Sequence, residues 1–504
     1  MNNITLTPKP GMSRIWDCQN SDFGNAAFFL SHFDQEVKYV PDLECWRIWD
    51  GTRYITDNKA AAVSLACGLL AVHQTEEAEL YGNELREERD MLRAQLPTNY
   101  DPVNPSPEDA ALSARILSDS QIGKLVAAAK IRAQKLGDVP VISKLLKSAS
   151  ESPDVIATLS EWDSNPLHIK VRNGILDFSD GTPVFRKATA SDLISLEMGV
   201  DYDPAAKCPL WMAFMDIVQV SPEQRKYLQR VVGYAMTGRT DDQAFYFLHG
   251  TGKNGKSIFV RAMQNVFGSY AAHARANLIE EQRNGSDCKH DLALLPGIRF
   301  LFGDETSNYS RMREGVIKAL AAGDPLTGEH KYQTPFSFNP VAKLFIIGNH
   351  KPGVDGTDEG IWMRVRLISW DHKVADSEEI ASSVLLKQFE REGSGILNWL
   401  IAGLSEVPYG GIPMPEEVKS AVAEYRADED GLGEFIRDYT SPVVGSREKK
   451  VHIFEHYVKW SKSVGLRFPL SQKQLTRQLK TRGWVTDSSQ KQWLDIYLPE
   501  TSDF

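Results

Sequence analysis

The chain has 504 residues, 42% hydrophobic and 25% charged, with a formal net charge of -10. That is an ordinary globular composition, long enough for two or three domains of roughly 100–200 residues. The acidic balance argues against a surface coated in nucleic acid and leaves a local basic channel open. Five scattered cysteines without a CxxC pair make a zinc ribbon or a disulfide framework an unsuitable reading.

The N-terminus, "MNNITLTPKPGMSRIWD", lacks the apolar core of a signal peptide. Residues 1–20 read as a loose arm. "YVPDLECWRIWDGTRYITD" predicts a hairpin turning at Asp50-Gly51. A helical pattern covers 59–95. Its apolar part, "AAAVSLACGLLAV", is too short to span a membrane and reads as a buried helix. "NYDPVNPSPEDA" is a loop or linker, and helical patterns resume to about Ser150. "LHIKVRNGILDFSDG" predicts two short strands, with turns at Asn173-Gly174 and Asp180-Gly181.

A boundary is expected near Asp201–Pro209, followed by the helices "PLWMAFMDIV" and "PEQRKYLQRVVGYAMTG". From about Ala244 to Trp370, strand, loop and helix alternate as in an α/β core. A helical stretch covers about 375–438. The last segment carries helices, two glycine turns and the apolar strand "WLDIYLP".

The most informative stretch is "FYFLHGTGKNGKSIFVRAMQNVF". It satisfies GxxxxGK[ST], with Gly250, Thr251, Gly252, Lys253, Asn254, Gly255, Lys256 and Ser257 between an apolar strand and an amphipathic helix. Glycines let backbone N–H groups turn inward, and the helix N-terminus adds a favourable field for anions. Lys256 would reach the β- and γ-phosphates of ATP, and Ser257 would hold Mg²⁺. A nucleotide site also needs carboxylates on a neighbouring strand. "RFLFGDE" supplies Asp304 for the metal and Glu305 to polarise the attacking water. "KLFIIGN" ends a third strand on Asn349, whose amide could hold water or sense phosphate. In "WMRVRLISW", Arg364 and Arg366 stand two apart, so on a strand both face one side. Either could act as an arginine finger on another subunit's γ-phosphate, which implies a head-to-tail oligomer.

Basic residues gather late in the chain. Between Arg447 and Lys491 there are eleven, against Glu448, Glu455 and Asp487. "SQKQLTRQLKTRGW" predicts a helix with Lys473, Arg477 and Lys480 near one face, suited to DNA phosphates.

Together these motifs resemble the superfamily 3 helicases, and more closely the C-terminal half of the phage and plasmid primase–helicases related to the poxvirus primase–helicase. The resemblance implies a P-loop NTPase core of the AAA+ type at 201–375. A mostly helical N-terminal domain would occupy 1–200, a helical connection 376–440, and a winged-helix-like basic domain 441–504. It implies an ATP- and Mg²⁺-dependent DNA helicase for a phage, plasmid or mobile element, working as a hexameric ring with 3'→5' polarity. An ATP-driven origin-binding or loading switch is the alternative. In relatives, the region matching "GEHKYQTPF" is a hairpin that contacts single-stranded DNA, which carries over to His330 and Lys331. Duplex origin DNA and a separate primase are further expected partners, with no membrane, in the cytoplasm of a bacterial host. Relatives often have Trp-Arg-Arg where this chain has Trp362-Met363-Arg364, which favours Arg364 as the finger and leaves Arg366 open. With no room for a polymerase-like domain before residue 20, primase activity is not expected of this chain.

Overall fold

The computed structural model describes residues 6, 14–33, 35–281, 288–304, 312–354, 359–374, 381–465 and 469–498. They fall into two compact units: 1–164 with 187–196, and 165–186 with 197–504.

The first unit joins a three-stranded antiparallel sheet to a set of helices. Its strands are Val37–Val40, Cys45–Trp49 and Tyr54–Asp57. The predicted hairpin is there, with Trp49 opposite Tyr54 and Gly51 at a φ of +97° in its turn. Asp57 closes the next element by accepting from the N–H groups of Ala62 and Val63. That fixes the start of the 34-residue helix Ala61–Ala94. Only one face of this helix is covered. Val63, Cys67 and Leu70 are buried, whereas Leu65 and Val72 are more than half exposed. The expectation of a buried helix is therefore corrected: the apolar run is longer than the face the unit covers. The loop before Pro107 ends in Ser106, whose hydroxyl accepts from Asp109 N–H and starts another helix.

In the second unit, the two strands expected within 167–181 are present, His168–Val171 and Gly174–Asp177, and a third antiparallel strand, Val184–Arg186, follows them. Buried Arg299 explains why they belong here. It donates to the carbonyls of Met236 (2.6 Å) and His168 (2.9 Å), with its guanidinium over Tyr270. Lys343 is likewise buried and donates to Thr237 O at 2.6 Å. Both cations thus satisfy carbonyls just past the C-terminal end of helix Pro222–Ala235, where the helix field favours positive charge. Burial holds the Lys343 ammonium well below its usual pKa range.

The centre of this unit is a five-stranded parallel sheet. Its strands, in chain order, are β1 (Phe245–His249), β2 (Ala271–His273), β3 (Phe300–Asp304), β4 (Lys343–Gly348) and β5 (Val365–Ser369). The spatial order is β5-β1-β4-β3-β2. β1 and β4 are almost wholly buried apolar runs, as a parallel sheet covered on both faces requires. A parallel sheet flanked by helices in this way is consistent with a P-loop NTPase core of the AAA+ type. All crossovers return the chain in the same direction, so every strand end that follows β1, β3 and β4 lies on one side.

Beyond the sheet, Leu432, Phe435, Tyr457, Trp460, Leu479 and Trp493 form a separate apolar cluster. It is closed by the antiparallel pair Ser441–Lys449 and Gln492–Tyr497 and by helices Lys450–Ser463 and Gln472–Thr481. Among the described residues no helix is long and apolar enough to cross a membrane.

Candidate nucleotide site and the surfaces around it

β1 ends at His249, and helix Lys256–Phe267 begins seven residues later. The loop between them is held from both sides. Gly250 N–H donates to Gly348 O (3.2 Å), and Val374 N–H donates to Lys253 O (3.0 Å). A Cβ on Gly250 would lie 2.3 Å from Trp370 O, so only glycine lets the loop pass there. Gly255 has a φ of +81°, and its Cβ would meet Val218 Cγ1 at 2.5 Å. Sterics and backbone conformation both demand glycine at that position.

The two buried polar side chains of the loop are locked together. Lys256 Nζ donates to Gly250 O at 2.6 Å, to Asn254 Oδ1 at 3.0 Å and to Asn349 Oδ1 at 3.4 Å. Asn254 in turn donates to Trp370 O at 2.8 Å. A buried ammonium needs such acceptors, because an unpaired charge in this position would be strongly destabilising. Burial holds the neighbouring His249 imidazole below its usual pKa, and Lys351 and Lys256 push in the same direction.

The loop opens onto a cavity of about 590 Å³. Gly252 to Ser257, Asp304, Gly348 and Asn349 line it at one end. Thr251 is exposed and lies outside the lining. Asp304 stands at the end of β3, with His273 Nε2 of β2 3.3 Å from its Oδ2. Sequence reasoning missed His273; its only sign was a short strand ending beside the acidic one. Ser257 and Asp304, lining one cavity beside a helix N-terminus, fit a hydrated Mg²⁺ carried by phosphates. Among the described residues no group of three His, Cys, Asp or Glu could hold a metal without such help. Glu305 lies outside the described residues.

Arg364 sits apart from this cluster. It directly precedes β5 rather than lying on it, and its Nη1 donates to Gly360 O at 2.7 Å. Its Nε is buried without a hydrogen-bond partner. Val365 pairs with Phe245 and Ser369 with His249. Arg364 is therefore at the start of the sheet and the loop at its end, roughly 13 Å away at the usual strand rise. Arg366 is on β5, tied to Met363 O at 2.8 Å and Val365 O at 3.1 Å. Arg364 O still accepts from Phe245 N–H at 3.0 Å, and Arg364 and Arg366 are both part-exposed on either side of buried Val365.

His330 and Lys331 lie between the paired strands Leu326–Gly328 and Phe336–Phe338. His330 is half-buried with its ring 5.7 Å from Phe336, whereas Lys331 is exposed. Next to them, within the same stretch, Tyr332 has a φ of +67° and is 92% exposed; the sequence reading gave it no role. Lys473, Arg477 and Lys480 are all exposed on helix Gln472–Thr481, opposite buried Leu475 and Leu479. They form one face, as the spacing predicts. Arg467 lies outside the described residues.

Two family models match the chain: "D5 N terminal like" over residues 26–220, and a family of unknown function (DUF5906) over 248–364. Among curated proteins it is similar to "Putative helicase L207/L206" of Acanthamoeba polyphaga mimivirus, 25% identical over 333 residues, 60% of this chain and 34% of that protein. Two proteins named in the same way match as well. For 121R of Invertebrate iridescent virus 3 the figures are 27% identity, 43% of this chain and 24% of that protein. For V13 of Sputnik virophage they are 23%, 41% and 28%. The chain thus spans about a third or less of the length of these relatives. Its similarity is distant and consistent: each of these viral proteins is named as a helicase. Among solved structures, the apo NrS-1 C-terminal region overlaps 71% of this chain and 89% of its own, at 11% identity and a TM-score of 0.39.

Proposed function

We propose that this chain is the motor of an ATP-dependent DNA helicase that serves replication of a virus, phage or other mobile element. The observation that carries the reading is the gathering of Lys256, Ser257, Asp304 and Asn349 around one cavity at one end of the sheet. Names of the distant relatives point the same way.

In this reading the triphosphate lies along the loop. The N–H groups of the first helical turn and Lys256 bind its oxygens, Lys256 leaving Gly250 O and Asn349 to do so. Ser257 and Asp304 would hold Mg²⁺, which supplies charge neutralisation at the phosphates. Asn349, released from Lys256, orients water toward the terminal phosphate, with Glu305 as the base. ATP binding and loss would thereby switch Asn349 between two partners.

Arg364 cannot serve the site of its own chain without crossing the sheet, so it belongs to a neighbour's site. That requires a head-to-tail oligomer, and a closed hexameric ring is the form proposed. The hairpin carrying His330 and Lys331 then contacts single-stranded DNA in the channel. Residues 441–504 act as a winged-helix-like DNA-binding domain through Lys473, Arg477 and Lys480. Polarity is proposed as 3'→5'.

The test is ATP hydrolysis with and without single-stranded DNA, on protein whose mass is read by light scattering in the same buffer. Hydrolysis stimulated at least about tenfold by DNA, in a species of hexameric mass, is expected. A monomer whose hydrolysis ignores DNA would remove the ring motor.

A further inference from the structure

The cavity continues past the phosphate loop into a cleft with apolar walls. One wall is helix Pro209–Val218, where Leu210, Phe214 and Ile217 recur at helical spacing. The other is helix Ser382–Arg391, which contributes Leu385 and Phe389. Leu210 and Ile217 are 47% and 40% exposed, an uncomfortable state for large apolar side chains unless a ligand covers them.

The walls are fixed to each other. Glu392, just beyond the second helix, accepts from Leu210 N–H (3.0 Å) and Trp211 N–H (2.9 Å) at the start of the first. The Phe389 ring packs 5.3 Å from both Trp211 and Phe214. A cleft pinned in this way keeps its width before any ligand arrives, which lowers the ordering cost of binding. Its position settles the occupant. A triphosphate on the loop must place its sugar and base nearby, and a planar, largely apolar ring suits two apolar helix faces. The volume of about 590 Å³ is ordinary for a small-molecule site.

Gln388 stands in this wall between Leu385 and Phe389. Among the described residues its amide has no hydrogen-bond partner. An amide offers an acceptor on one side and donors on the other, and it can rotate. It can meet adenine, which presents an N6 donor beside the N1 acceptor. Turned over, it can meet guanine, which presents an O6 acceptor beside the N1–H donor.

We propose that Gln388 reads the base edge of a purine nucleotide held in this cleft, and that its rotatable amide lets the site accept adenine and guanine with little preference. The proposal rests on the nucleotide reading above and adds to it the part of the ligand recognised and the residue that recognises it.

The test compares hydrolysis of ATP and GTP by the full chain, with titrations of ADP and GDP as a readout independent of turnover. The unaltered chain is expected to show kcat/KM values for the two within about fivefold. Gln388→Glu supplies two acceptors and no donor. It should accept from N1–H and N2–H of guanine and repel the N1 lone pair of adenine, shifting the ratio about tenfold or more toward GTP. Gln388→Leu should weaken ADP and GDP binding together, about fivefold. An unchanged ATP/GTP ratio in Gln388→Glu overturns the proposal, as does an unaltered chain that prefers one purine by more than about 100-fold. A chain that binds none of these nucleotides overturns the nucleotide reading itself. Nucleotide binding with an unshifted ratio removes only Gln388.

Discussion

The two ends of the parallel sheet are built differently. At the end of β1, β3 and β4, polar groups converge: Lys256 touches Asn254 and Asn349, and Asp304 shares their cavity. At the start of β5, Arg364 donates to Gly360 O, and among the described residues its buried Nε, like that of Arg366, has no hydrogen-bond partner. A site finished within one chain would have its cations and carboxylates together. Here a cation of the proposed site is displaced by the length of the sheet. In the proposed reading, one chain holds only part of the catalytic surface and a neighbouring chain supplies Arg364.

The most direct way to break this comparison is to remove the cluster at the loop. Lys256→Ala should reduce ATP hydrolysis more than about 1000-fold, because the phosphates lose their buried ammonium. The variant also leaves Gly250 O and Asn254 Oδ1 without a donor, so its thermal midpoint must be measured beside its activity. Hydrolysis that survives in a folded Lys256→Ala protein would remove the nucleotide site from this loop.

Arg364→Ala sharpens the comparison. Nucleotide binding should stay close to normal while turnover falls about 1000-fold, the scale of an arginine finger. Mixing the Lys256→Ala and Arg364→Ala proteins should restore activity. In a head-to-tail assembly, some interfaces then combine an intact Lys256 with an intact Arg364. Mixed oligomers that form without any recovery would show that Arg364 does not act across subunits. Arg366→Gln is the control, with a smaller loss expected because its guanidinium is held by carbonyls of its own chain.

How much of this was legible in the sequence depends on how local the cause is. The loop, its strand and its helix are readable because eight consecutive residues must meet one conformational demand. Gly250 and Gly255 bear that out in the distances a Cβ would have from Trp370 and Val218. Strand ends at Asp304 and Asn349 were readable from apolar runs stopping at polar residues. The rest depends on distant partners. Glu392 capping Leu210 and Trp211, or Gln388 entering the same cavity as Ser257, joins segments far apart in sequence, with no spacing to mark it. The first two strands of 168–186 were visible as strands. Their attachment to the second unit, through Arg299 and His168, was not. Helix Ala61–Ala94 misled for a related reason: composition gives apolar content but not which face a neighbour covers.

A smaller effect separates the motor from its track. Lys331→Ala should leave hydrolysis without DNA unchanged within about twofold, since the residue is exposed and does not line the nucleotide cavity. Stimulation by single-stranded DNA should fall several-fold, and its dependence on salt should weaken, as expected for a lost phosphate contact. Full stimulation with an unchanged salt dependence would take the hairpin off the DNA.

The smallest effect concerns what holds the start of the sheet, the end where Arg364 lies. Asp241, four residues before β1, receives Arg239 at 2.6 Å and Gly410 N–H at 2.8 Å. Partial burial raises its pKa, but the Arg239 hydrogen bond and the Gly410 N–H outweigh that and hold it at about 2. Its folded pKa is thus below the unfolded value near 3.9. The ionised carboxylate therefore contributes stability that is complete above about pH 4 and is lost as pH falls toward 2. Allowing for its partial exposure, the contribution is about 1 kcal/mol. Asp241→Asn should lower the denaturant midpoint at pH 7, and the gap to the unaltered chain should close between about pH 4 and pH 2. If the gap stays constant across that range, the carboxylate charge is not what anchors this end. The anchoring of this end would then rest on neighbouring Asp242, which accepts from Tyr246 Oη at 2.6 Å and Ile412 N–H at 2.7 Å.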